Sequence, residues 1–417
     1  MTEPDSFFAS RWVAIPAHTT ELGDDRQLPR GFRAAGIAAG LKPSGALDLG
    51  MIVADPVQTT SAARFSRSGA QSAPVLLTRL QSQTNRLRAV VVNSGNANAA
   101  TGERGMIDAA TMRAAAAEVA GVAPELVGVA STGVIGVPLP IELIRDGITS
   151  LGERLTTAGG SEFAEAIRTT DGFPKQVNLE LELDGGPVRL SVQAKGAGMI
   201  SPNFATLLVF VQTDAQLDAD EAELLLSVCT QRSFDRISVD GQLSTSDTII
   251  LQASGASGVP ITASSPEERI FGEALDAALR QVALLVAKDG EGARRVGRVL
   301  VRGGDERGAF RVAHAVADSP LVKTALYGGD PNWGRIIQAV GAAAPGTAPL
   351  DVAIAIEGIR VCEHGAYVEH DTAALARAVA GDEVEYEIWL PGEGVEVERY
   401  FSDLGHEYVT INADYTT

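Results

Sequence analysis

The residues best placed to do chemistry lie in three glycine-rich loops. These are Ser131-Thr-Gly-Val-Ile-Gly136, Lys195-Gly-Ala-Gly-Met-Ile-Ser-Pro-Asn-Phe-Ala-Thr206 and Asp289-Gly-Glu-Gly-Ala293. Glycine lets a backbone turn sharply or approach a ligand closely, and loops of this kind often carry function. The second loop delivers the Thr206 hydroxyl to the start of a strand-like run that continues to Val211. Taken alone, Thr206 reads as a β-branched residue opening a strand, and a Thr hydroxyl is a poor nucleophile without a base beside it. The third loop places Glu291 just past a helix end, where a carboxylate opposes the helix dipole; that position asks for a function or a compensating cation. Cys362-Glu-His364 offers two metal-binding residue types, but two ligands without partners at the usual spacings do not make a site, so no metal is expected.

These loops must be held by an alternation of strands and helices. Segments 52–54 and 89–92 read as short buried strands and 107–119 as an Ala-rich helix. Segments 177–183 and 188–194 alternate apolar with polar residues around Asp184-Gly-Gly186, which predicts a hairpin with one buried face. Asp218 with Glu221, and Ser265-Pro266 with Glu268, mark helix starts, the second for a long amphipathic helix reaching about Lys288. Segments 156–160 and 342–349 read as surface loops.

The chain of 417 residues suggests about two or three domains at roughly 150 residues each, and 45% hydrophobic residues are ample for sizeable cores. The net charge of −19 argues against a nucleic-acid partner, which needs basic patches, and fits a soluble anion. The opening MTEPDSFFASRW has acids where a signal peptide needs basic residues, and the apolar stretch 126–141 is too short and too rich in Gly and Pro to span a membrane. A cytoplasmic protein with no membrane partner is therefore expected. Cys229 and Cys362 cannot build a disulfide framework and read as free thiols in a reducing compartment.

Together the loops resemble one family. The stretch from Lys195 through Thr206-Leu-Leu is similar to the self-cleavage segment of the ornithine acetyltransferase (glutamate N-acetyltransferase) family. Further matches are Asn93-Ser-Gly-Asn-Ala-Asn98, Ser131 to Gly136, Thr169-Thr170-Asp171, Ser238-Val-Asp-Gly241, Asp289 to Ala293, Ser319-Pro-Leu-Val-Lys-Thr-Ala325, Asp330-Pro-Asn-Trp-Gly-Arg335 and Ile411-Asn-Ala-Asp-Tyr-Thr-Thr417. The resemblance implies an α/β sandwich shared with certain self-processing aminopeptidases. It implies that the precursor cuts its own Ala205–Thr206 bond, giving chains 1–205 and 206–417 that jointly form the active site.

The same resemblance implies Thr206 as nucleophile, with its newly freed α-amine, of ordinary pKa ~7.7–8, as base. It implies Thr132 and Gly133 as the oxyanion hole, and Thr170, Lys195, Thr206, Glu291, Asn412 and Thr417 as substrate-binding residues. Lys195 suits a substrate carboxylate and Glu291 a substrate ammonium. Thr169 adjoins Thr170 and is equally eligible for that position. The implied reaction moves the acetyl group of N-acetyl-L-ornithine to Thr206 and then to L-glutamate, in arginine biosynthesis. No cofactor is implied; acetyl-CoA is a co-substrate if the enzyme is bifunctional. The implied assembly is a heterotetramer with two of each chain.

Three stretches depart from the family's pattern and bear on fine substrate preference. Phe204 replaces Met, Gln242-Leu243-Ser-Thr-Ser246-Asp247 replaces Asp-Thr-Ser-Thr-Asn-Asp, and Ser402-Asp-Leu-Gly-His406 replaces a Cys-Asp-Leu-Thr-like stretch. Two other readings stand beside the transferase: a related-fold amidohydrolase or aminopeptidase that passes the acyl group to water, and an unprocessed, non-catalytic binding protein.

Overall fold

The computed structural model describes residues 6–201 and 207–414. Two β-sheets stack face to face, with helices on both outer sides. One has four strands, in the order Phe32–Ile37, Leu49–Ala54, Ala89–Asn96 and Val127–Val134. The other has six: Thr19–Leu22, Lys175–Leu183, Gly186–Lys195, Leu208–Thr213, Thr248–Ala253 and Thr60–Phe65. Apolar runs such as Ala89-Val-Val-Val92 suit strands that are covered on both faces. Val90, Val92, Ile52 and Ala54 point between the sheets to meet Leu208, Phe210 and Ile250. Their pleat neighbours Ala89, Val91, Met51 and Val53 face the helices Ala73–Gln81, Gly102–Ala120 and Ile141–Gly152. On the far side, Val209, Val211, Ile249 and Leu251 pack with helices Ala219–Arg232 and Pro266–Lys288. The α/β sandwich expected from the sequence is the fold observed.

Phe163, on the helix Gly160–Ala166, is the wedge in the inter-sheet layer. Its ring is fully buried and meets Phe210 edge-on at 5.2 Å between centroids. Phe163→Ala should cost about 3–5 kcal/mol of stability, from lost burial plus the cavity left behind. A urea titration should show a lower midpoint with the slope unchanged; a midpoint equal to that of the parent would remove this residue from the core account.

The predicted helix starts form as expected. Asp218 Oδ1 accepts the Glu221 N–H at 2.8 Å and Ser265 Oγ accepts the Glu268 N–H at 3.0 Å. The hairpin forms too, and its polar face is wet at Glu182 but dry along the end of the second strand. Ser191, Gln193 and Lys195 are all buried, because helix Gly160–Ala166 packs against the strand that carries them. The alternation therefore separates an apolar core face from a polar interior face. Segment 156–160 is the expected surface loop at Thr156 and Thr157, which are exposed, and turns inward after them. Thr156 exchanges backbone hydrogen bonds with Ala34 at 2.9 and 3.0 Å, and Gly159 and Gly160 are buried.

A second unit follows the sandwich. Its seven-stranded sheet runs Ile237–Ser238, Glu396–Ser402, Val296–Arg302, Glu383–Trp389, Ala353–Ile356, Ile359–Glu363 and Ala366–Tyr367. Helices Glu306–Ala317, Pro320–Gly328 and Trp333–Ala343 share its core. Ile237–Ser238 pairs with Glu396–Ser402 and ties this unit to the sandwich, and the last helix, His406–Asp414, reaches the rim of the cavity described next. Among the described residues, no helix is long and apolar enough to cross a membrane.

Candidate active site

A cavity of about 130 Å³ is lined by Thr132, Gly133, Thr169, Thr170, Lys195, Glu291 and Asn412, together with Gly198, Met199 and residues of the 240–246 loop. Every described residue expected to bind substrate or to stabilise charge is therefore on one wall or another. Ala205, Thr206 and Thr417 lie outside the described residues, as does Phe204. The described chain enters and leaves their segment at Ser201 and Leu207, both buried.

Thr132 and Gly133 end the parallel pair formed by Ala89–Asn96 and Val127–Val134, where the register shifts at Gly95/Asn96. Gly133 takes φ +128°, and a Cβ there would lie 2.4 Å from the Gly95 carbonyl carbon, so only glycine fits the turn. The Asn93 to Asn98 motif braces it: Ser131 Oγ donates to Asn93 Oδ1 at 2.6 Å, and Asn93 Nδ2 donates to the Asn96 carbonyl at 2.9 Å. Lys195 Nζ lies 3.4 Å from Thr132 Oγ1. A hydroxyl that accepts from an ammonium still has its own proton to donate, which is what an oxyanion donor needs.

Lys195 ends the strand Gly186–Lys195 with its side chain buried. Burial pushes its pKa below the usual lysine range, an effect that Asp171 and Glu291 oppose. Glu291 stands across the same cavity. No compensating cation contacts it among the described residues; Asn412 Nδ2 donates to its Oε2 at 2.7 Å instead. Glu291 also joins two loops, because its N–H donates to the Ala197 carbonyl at 2.9 Å. A Cβ on Gly198 would lie 2.6 Å from the Glu291 carboxyl carbon, so glycine at 198 is what lets this carboxylate lie against the 195–198 loop. Thr169 and Thr170 both line the cavity.

Several residues at the site had no role assigned from the sequence, although Asp240, Asp171 and Asp289 lie within the matched motifs. Asp240 accepts the Met199 and Ile200 amides at 2.7 and 2.9 Å and so holds the segment leading toward the expected cleavage bond. The unusual backbone there is not at Gly196 or Gly198 but at Met199, whose φ of +58° is costly for a residue with a side chain. Asp247, fully buried, accepts the Leu207 N–H at 3.0 Å, one residue after Thr206 in the chain. Burial pushes its carboxyl well above the usual range. Lys175, also fully buried, donates to Asp171 Oδ1 at 2.8 Å and to Asp289 Oδ2 at 2.7 Å. Burial opposes ionisation of Asp171, but Lys175 and Lys195 outweigh it and hold this carboxyl far below its ordinary value.

Of the departing stretches, Gln242 lines the cavity, whereas Ser402 is buried away from it with Oγ bonded to the Val239 carbonyl at 3.2 Å. Cys362 and His364 diverge: the thiol is buried against the Val352 carbonyl, while the imidazole is exposed beside Asp351.

The fold and cavity define an α/β-sandwich protein whose small cleft carries charges of both signs. The chain belongs to the ArgJ family, whose model matches residues 33–417. A relative from Symbiobacterium thermophilum, named arginine biosynthesis bifunctional protein ArgJ, is 44% identical over 393 residues, which cover 93% of this chain and 98% of the relative. A protein of the same name from Geobacter sulfurreducens is 42% identical over 393 residues, covering 93% and 99%. The crystal structure of an ornithine acetyltransferase from Mycobacterium tuberculosis complexed with ornithine is 38% identical, covering 45% of this chain and 99% of that one, with a TM-score of 0.42.

Proposed function

We propose that this chain is a glutamate N-acetyltransferase of arginine biosynthesis that cleaves itself between Ala205 and Thr206 and carries the acetyl group on Thr206. Membership of the ArgJ family and the names of its relatives support the reaction class. The observation that carries the substrate assignment is the placing of Lys195 and Glu291 on one cavity with Thr132 and Gly133. A carboxylate and an ammonium on one small molecule satisfy both protein charges, and acetylornithine has this pair.

In the proposed maturation, Thr206 Oγ attacks the Ala205 carbonyl carbon, the peptide C–N bond breaks in an N→O acyl shift, and water hydrolyses the ester. In turnover, Thr206 Oγ attacks the acetyl carbonyl of acetylornithine while its α-amine takes the hydroxyl proton. Thr132 and Gly133 face the oxyanion, the C–N bond breaks, and ornithine leaves with the proton. The glutamate amine then attacks the acetyl ester, and Thr206 Oγ regains its hydrogen. Thr170, Asn412 and Thr417 complete the substrate contacts. The chains 1–205 and 206–417 would assemble as two of each, in the cytoplasm, with no cofactor. The word bifunctional in the relatives' names favours acetyl-CoA as a second acetyl donor.

Acetylornithine consumption with and without glutamate tests the transferase reading. Turnover should require glutamate and yield acetylglutamate; equal turnover without it would make the protein a hydrolase. Mixing acetyl-CoA with glutamate, in the absence of acetylornithine, tests the second donor. The lowered pKa of Lys195 adds a pH signature. A substrate carboxylate needs the charged ammonium, so binding is strong below the pKa and is lost as pH rises through it. The KM for acetylornithine should therefore climb before the ordinary lysine range near ~10.4 is reached. A KM that stays flat through that range would contradict the Lys195 assignment.

A further inference from the structure

Lys175 opens the strand Lys175–Leu183 and is not part of the cavity lining, yet it governs three segments that are. Its ammonium bonds Asp171 Oδ1 at 2.8 Å and Asp289 Oδ2 at 2.7 Å. Asp171 also accepts the Gly196 amide at 2.6 Å through Oδ1 and the Thr169 amide at 3.1 Å through Oδ2. Asp289 also accepts the Gly172 amide at 2.9 Å and stands two residues before Glu291. One buried cation thus ties together the 169–172, 195–198 and 289–291 segments.

Lys195 is differently placed. It forms no ion pair among the described residues, and its ammonium lies 3.4 Å from Thr132 Oγ1. The groups whose charges act on it are Asp171, Lys175, Glu291 and Asp247, with Asp171 the strongest attraction. Asp171 Oδ1 also accepts the amide of Gly196, the residue next to Lys195, so the carboxylate neighbours both buried lysines, and Lys175 holds it. A buried charge takes an opposite partner where one is available, because an unpaired one is costly.

We infer that Lys175 is a positioning residue that saturates Asp171 and so keeps the Lys195 ammonium unpaired and available to an anionic group of the substrate. This rests on the proposed role of Lys195 as the substrate-carboxylate site. Without Lys175, the Lys195 ammonium would close on Asp171, and a substrate carboxylate would have to break that pair to bind.

Steady-state kinetics on the mature enzyme with acetylornithine and glutamate test the inference. Lys175→Met should raise the KM for acetylornithine about tenfold or more, with kcat falling by less than about threefold, the pattern of lost ground-state and transition-state binding alike. Lys175→Met combined with Asp171→Asn removes the competing pair, and its KM should return to within about threefold of the parent. An unchanged KM in the single variant overturns the inference. So does a KM still raised about tenfold in the double variant, because loosened packing is not repaired by removing a second buried group. If the single variant does not fold, the double variant decides by the same criterion. Lys195→Met, measured alongside, separates the two levels. An unmoved KM there shows that the substrate-carboxylate reading itself is wrong and takes the Lys175 inference with it.

Discussion

Thr206→Ala should leave the chain whole on a denaturing gel and reduce acetyl transfer by about a millionfold, the scale seen when a covalent nucleophile is removed from an acyl-transfer site. Both losses follow from one atom. The hydroxyl that is proposed to attack the Ala205 carbonyl during maturation later attacks the acetyl carbonyl, and the α-amine that serves as its base exists only after cleavage. Thr206→Ser keeps a hydroxyl at the same place and should both cleave and turn over. Activity in an uncut Thr206→Ala chain would show that the base and the nucleophile lie elsewhere. On the described flanks, Asp240 accepts the amides of Met199 and Ile200, and Asp247 accepts the Leu207 amide.

Thr132→Ala should lower kcat by about 10²–10³, equivalent to about 2.7–4 kcal/mol, with a much smaller change in KM. A hydroxyl donor is worth most where charge develops, and that charge appears only as the carbonyl oxygen becomes an oxyanion. Lys195 already supplies the hydrogen bond that Thr132 Oγ1 accepts, so the Thr132 proton is free to point at substrate. Thr132→Ser keeps the donor and should retain most of the rate. Equal losses in kcat for the Ala and Ser variants would mean that the methyl group and packing matter rather than the hydroxyl. Gly133 offers no such clean test, because any side chain there collides with Gly95.

Local chemistry made much of this site legible in the sequence. Glycines marked the turns at 131–136 and 195–198, and Asp218 and Ser265 announced their helices through capping side chains that form as expected. Lys195 and Glu291 could be paired with substrate charges because their motifs were recognisable. What stayed hidden depends on contacts distant in sequence. Lys175 and Asp289 are 114 residues apart, and nothing near either residue signals the other. The pleat carrying Ser191, Gln193 and Lys195 read as a solvent face because polar alternation looks the same whether it meets water or a polar interior covered by a helix. Gly198 read as a residue of a sharply turning loop, but its place is set by the room it leaves for the Glu291 carboxylate, a fact of packing rather than of backbone conformation.

In the proposed cycle the acetyl group rests on Thr206 between its two carriers. The most direct measurement is the intact mass of the protein after brief incubation with acetylornithine and no glutamate. Two chains are expected, 1–205 and 206–417, with a single acetyl group on the chain beginning at Thr206, and loss of that acetyl when glutamate is added. An active protein that remains one full-length chain, or active chains with acetyl on neither, would contradict this cycle.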